Sequence, residues 1–167
     1  MSAVAVETTQ STNNPLDIVE EIVTANEWPF DRSTEDEMIV EISGRWCDYR
    51  LFFVWQAEVS AMQFSCQFDM RVPTGRRPTV SELLADVNAR MWLGHFDVCS
   101  DENTPMFRHT TLLRGARGAS VEQLEDLVDI ALSECERYYP AFQFVIWGGK
   151  TAREAVAAAI LDTMGEA

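Results

Sequence analysis
The sequence is short of the residues on which most enzyme chemistry depends. It has two histidines, His95 and His109, too few by themselves for a zinc site of three or four ligands. Its four cysteines, Cys47, Cys66, Cys99 and Cys135, form no CxxC pair. They read as reduced thiols, three in strand-like segments and one in a helix. Basic charge is also scarce: 13 Lys and Arg against 27 Asp and Glu give a net charge of -14. That charge repels nucleic acid and anionic lipid at long range, so neither partner is expected. No apolar run approaches the roughly 20 residues of a membrane span. The start, "MSAVAVETTQ", has no basic n-region and no long apolar core, so no secretory signal is expected and the cytoplasm is the expected compartment.

Apolar residues are plentiful. At 47% hydrophobic and 24% charged, the 167-residue chain has the material for one compact core. Residues 1–13 are small and polar without periodicity and read as a flexible tail; residues 14–164 read as a single α+β domain. Asn14 before Pro15 opens a helix whose apolar face is Leu16, Val19, Ile22 and Val23. It ends near Asn26, and "DRSTEDE" follows as a loop. Met38, Val40 and Ile42 then alternate with Ile39, Glu41 and Ser43. In "CDYRLFFVWQ", Tyr49, Leu51, Phe53 and Trp55 share one face, and Phe52 and Val54 the other. Apolar residues on both faces predict a central strand covered on both sides. In "MQFSCQFDM", Met62, Phe64, Cys66, Phe68 and Met70 alternate with polar residues, the pattern of a half-buried antiparallel strand.

Thr79 with Glu82 has the spacing of a capping box and predicts the next helix start, with Leu83, Leu84, Val87 and Met91 inside and Gly94 as its stop. "HFDVCS" and "PMFRHTTLL" flank "DENT" as a hairpin. Ser120 with Gln123 predicts a second capping box, before a long stripe from Val121 to Cys135. Pro140 interrupts that stripe, and periodicity leaves residues 141–147 open between helix and buried strand. The following Gly-Gly-Lys-Thr invites a comparison with a phosphate loop. The residue five before Gly149 is Phe144, however, where such a loop needs glycine, and Val145, Ile146 and Trp147 would crowd the anion. The glycines instead stop one helix, and Thr151 with Glu154 starts another.

The segments "FDRSTEDEMIVEISGRWCDYRLFFVW", "ARMWLGHFD", "PMFRHTTLLRG" and "ERYYPAFQFVIWGGKTAREAVAAA" resemble an alphaproteobacterial branch of the YbjN-domain family, described as bacterial sensory-transduction regulators. The resemblance covers most of the chain after the tail. It implies a fold like that of type III secretion chaperones, and it favours a long, kinked third helix through Pro140 over a further strand. It brings no ligand and no residue roles.

The expected fold is therefore α+β: helix, three strands, helix, two strands, a long kinked helix and a short C-terminal helix, around a mainly antiparallel five-stranded sheet. The acidic runs Glu35–Glu37 and Glu122, Glu125, Asp126 read as solvated, helix-supporting charge. Cys66 and Cys135 fall on packing faces, where burial makes a thiol inert. No catalytic residue, metal site or cofactor is expected. The strand with two apolar faces calls for cover from a second subunit or a partner segment, which makes Tyr49, Phe52, Val54 and Trp55 the candidate partner or dimer surface. The expected function is that of a non-catalytic, chaperone-like regulator, a homodimer that binds a protein or peptide. The alternative is a small-molecule sensor with an aromatic-lined pocket.

Overall fold
A computed structural model of the chain describes residues 11–165, with side chains to Leu161. Residues 1–10 of the expected tail lie outside the described residues. Thr12 and Asn13 are anchored: the Asn13 N–H donates to the Arg117 carbonyl at 2.7 Å, and the Thr12 hydroxyl donates to that of Leu113 at 3.5 Å. The elements are α1 (Leu16–Ala25), β1 (Phe30–Thr34), β2 (Glu37–Ser43), β3 (Asp48–Gln56), β4 (Ala61–Gln67), α2 (Arg77–Asn88), β5 (His95–Val98), β6 (Pro105–Leu112), α3 (Val121–Ile146) and α4 (Ala152–Gly165). The six strands form one antiparallel sheet in the order β1-β2-β3-β4-β6-β5.

The sheet has one strand more than expected. β1 occupies residues that read as a loop because its inward position holds Arg32, where a hydrophobic residue would have shown alternation. The guanidinium reaches back to α1 and binds Glu20 at 2.7 Å and Asp17 at 2.9 Å. A register shift between Asp31 and Thr34 adds a bulge. An inward charge and a bulge are two common ways of guarding a sheet edge.

The helix starts divide into those that were legible and one that was not. The Asn14 side chain accepts the Leu16 N–H at 3.0 Å. The Ser120 box is complete: its hydroxyl accepts the Gln123 N–H at 3.1 Å, and the Gln123 side chain accepts the Ser120 N–H at 2.8 Å. The Thr79–Glu82 box does not form. A 3-10 turn over Thr74–Arg76 runs straight into α2, with Pro78 in the first turn and Thr79 already inside the helix. Residues 141–146 are helical, and α3 continues through the buried Pro140. Gly149, at φ 64°, then turns the chain, and the Thr151 hydroxyl accepts the Glu154 N–H at 3.3 Å to start α4.

The helices lie on one face of the sheet. Met38, Val40, Ile42, Tyr49, Leu51, Phe53, Trp55, Met62, Phe64 and Cys66 point into that layer, as the alternation predicts, and meet the buried faces of α1, α2, α3 and α4. Phe68 is the hub of the aromatic core. Its ring lies 5.2 Å from Phe142, 5.4 Å from Tyr139, 5.8 Å from Tyr49 and 6.0 Å from Phe96. The turn between β2 and β3 is pinned to α3 by Glu136, which accepts the Arg45 N–H and, at 3.1 Å, the Tyr49 hydroxyl.

Candidate functional site
The two faces of β3 have different fates, and this corrects the expectation of double cover. Tyr49, Leu51, Phe53 and Trp55 are all at most 5% exposed. Tyr49 and Trp55 are therefore core residues and leave the candidate surface. Phe52 and Val54 lie half-buried on the opposite face, where no described helix packs.

The strand register builds that open face row by row. One row runs Ile39, Phe52, Ser65, Arg108, His95; the next runs Glu37, Val54, Gln63, Thr110. Ile39, Phe52 and Val54 make an apolar patch toward β2 and β3. Beside it lies a solvent-open trough of about 650 Å³, bordered by Gln63, Arg108, His95 and Asp97. Arg108 and Asp97 form an ion pair at 3.1 Å. A solvent-open trough with Phe52 and Val54 on one side and the Arg108–Asp97 pair on the other is suited to contact with another protein.

The histidines and cysteines are spread over both faces of the sheet and the turns beside it. His95 and His109 fall on adjacent strands but in successive positions: His95 pairs with Arg108 on the open face, and His109 pairs with Phe64 on the helix side. Burial, and then the proximity of His95, lower the His109 pKa. Among the described residues no three His, Cys, Asp or Glu side chains are placed to hold a metal ion. Cys47 lies in the β2–β3 turn and Cys99 just past β5, so only Cys66 of the expected three is within a strand. Burial pushes the Cys47 thiol up to about 11 and the wholly buried Cys135 thiol upward too, beside Cys66. Neutral thiols are poor nucleophiles. The Lys150 amine lies over the Phe144 ring, 5.5 Å from its centroid.

Sequence reasoning missed one feature, at the other edge of the sheet. β5 is four residues long and β6 is eight, so β6 extends beyond its neighbour from His109 to Leu112. Below that stretch, on the helix side, a groove of about 270 Å³ is lined by Met62, Trp92, Leu113, Leu124, Asp126 and Leu127, among others. Trp92 is 78% exposed. The difference in strand lengths was the available signal.

Comparison with known proteins follows the fold. The model of the YbjN family, described as "Putative bacterial sensory transduction regulator", matches residues 15–144. A solved structure, "Crystal structure of YbjN, a putative transcription regulator from E. coli", is similar at a TM-score of 0.51 and 13% identity. The match covers 78% of this chain and 87% of that one. At that identity the likeness speaks for the fold alone. No curated protein matches the chain.

Proposed function
This chain belongs to the YbjN family, and on that premise we propose that it is a non-catalytic cytoplasmic regulator that works by binding protein, itself paired as a homodimer. One observation carries the reading: a six-stranded sheet has its helices on one face, while the other presents Ile39, Phe52 and Val54 in adjacent register positions. Covering such a patch removes apolar area from water, which favours association without directional chemistry. Each subunit carries a charge of -14, so long-range repulsion opposes the pairing, and salt, which screens it, should help. The raised pKa values of the Cys47 and Cys135 thiols give no support to nucleophilic catalysis. A small-molecule sensor has less support: among the described residues, the troughs beside Arg71, Trp92 and Arg108 are open to solvent.

Light scattering at micromolar concentration, with reductant and chelator and at low and high salt, tests the reading. A dimer mass is expected in each condition. Phe52→Glu, at a position outside the core, should give a monomer that keeps the wild-type far-ultraviolet circular dichroism spectrum. A monomeric wild type in every condition refutes the homodimer, and a dimer that survives Phe52→Glu refutes the open face as its surface.

A further inference from the structure
We infer that the unpaired edge of β6 at Thr110–Leu112, with the groove below it, is a second binding surface, which takes an extended segment of a partner protein carrying apolar residues flanked by arginine or lysine. Hydrogen-bond parity establishes the edge. The Leu113 N–H donates to the Ser60 carbonyl at 2.8 Å, so the odd-numbered residues of β6 turn their backbone groups toward β4. The Cys99 N–H donates to the Thr104 carbonyl at 2.8 Å, so the even-numbered residues turn theirs toward β5. β5 pairs no further along than His95 with Arg108. The N–H and C=O groups of Thr110 and Leu112 therefore point outward, and among the described residues no strand lies beside them.

The early end of β5 is built in. Gly94 has φ 67° and turns the chain away from β6, and a Cβ there would collide with the Phe107 ring and the Arg108 carbonyl. The opposite edge of the sheet is guarded by inward Arg32 and a bulge. This edge has neither at Thr110 or Leu112, and Leu112 is 77% exposed. An unguarded edge with a pocket for alternate side chains is the arrangement for strand addition.

The chemistry of the occupant follows from the walls. Met62, Leu113, Leu124 and Leu127 make an apolar floor, flanked by the exposed Trp92. The wall formed by α3 carries Asp126, with Glu122 one turn before it and Asp129 one turn after, all exposed. Among the described residues none of these three carboxylates is paired with a base. An apolar slot beside an unpaired acidic wall, on a chain of charge -14, selects a basic, apolar peptide and disfavours a second copy of the chain.

The test uses the full chain and a labelled heptapeptide of alternating arginine and leucine, with a glutamate-for-arginine twin, read by fluorescence anisotropy. The basic peptide should bind and the acidic twin should not. Thr110→Pro removes an outward N–H and spares the pairing with β4, so it should weaken binding about tenfold at an unchanged urea midpoint. Asp126→Lys should weaken it similarly, with a reduced salt dependence. Failure of the wild type to bind, equal binding of the twin, or an unaffected Thr110→Pro variant would overturn the proposal. So would binding that requires deletion of residues 1–10, which would give the groove to the chain's own first segment. A wild-type dimer that Thr110→Pro converts to monomer would assign the edge to a second copy and also overturn it. Phe52→Glu should leave peptide binding unchanged, which separates this surface from the open face.

Discussion
Replacing Phe68 by alanine probes the centre of the molecule. Phe68 follows β4 directly, is 3% exposed, and its N–H is fixed by a 3.0 Å hydrogen bond to the Pro105 carbonyl. The backbone position therefore survives the substitution, and the ring is what is lost. Burying a phenylalanine removes at least about 150 Å² from water, or about 4 kcal/mol at about 25 cal/mol per Å². Measured truncations of buried rings run at about 3–5 kcal/mol. The four ring contacts to Tyr49, Phe96, Tyr139 and Phe142 come from three different elements of the core, which cannot all collapse into the void. That places Phe68→Ala toward the top of the range. The neighbouring Gln67 belongs to the open face, and Gln67→Ala should change stability by no more than about 0.5 kcal/mol. Urea denaturation of both variants beside the wild type is the assay. Since domains of this size hold only about 5–15 kcal/mol in all, Phe68→Leu serves as a milder second substitution, expected to cost about 1.5 kcal/mol or less. Equal midpoints for the alanine variants at 67 and 68 would show that the strand register, or the face it buries, is wrong.

Two further outcomes are expected. The His109 pKa is lowered in the folded chain, so its contribution to stability is fully present above the unfolded value of about 6.5 and is lost as pH falls through the folded value. His109→Asn should therefore lose less stability than the wild type between pH 7.5 and pH 5.5, each read by its urea midpoint; a gap between the two proteins that does not change with pH would refute this. Gly44→Ala should cost about 1–3 kcal/mol by overpacking, because a Cβ there meets the Glu136 carboxylate and the Tyr49 ring. A variant as stable as the wild type would show that the β2–β3 turn is not held against α3 as described.

The sequence by itself determined what depends on near neighbours. Two-residue alternation placed Met38, Val40, Ile42, Phe64 and Cys66 on the buried side, because successive side chains of a strand must face opposite ways. Hydroxyl and amide spacing placed the Ser120 cap, because its partners lie within one turn. The same local logic failed where a distant group decides the outcome. β1 was hidden because its inward position holds Arg32, which pairs with Glu20 and Asp17 on α1, twelve and fifteen residues away in the chain, so no apolar pattern marks the strand. α2 starts early because the preceding turn runs into it, an arrangement that the Thr79–Glu82 spacing does not encode. For residues 141–146, helix and strand were both compatible with the pattern; as part of the long α3 they bury Phe142 against Phe68 and Phe96, and Val145 in the core.

The candidate surface divides in the same way. Alternation separated Phe52 and Val54 from Tyr49 and Trp55, but with both sets apolar it could not say which one the helices would cover. That choice rests with β2 and β4, whose neighbouring positions are apolar beside Tyr49, Leu51, Phe53 and Trp55 and largely polar beside Phe52 and Val54. The free edge at Thr110–Leu112 was hinted at by unequal strand lengths but decided by tertiary structure: four residues of β5 pair with the first half of an eight-residue strand, and that register is set in the assembled sheet, where backbone groups must find partners in space.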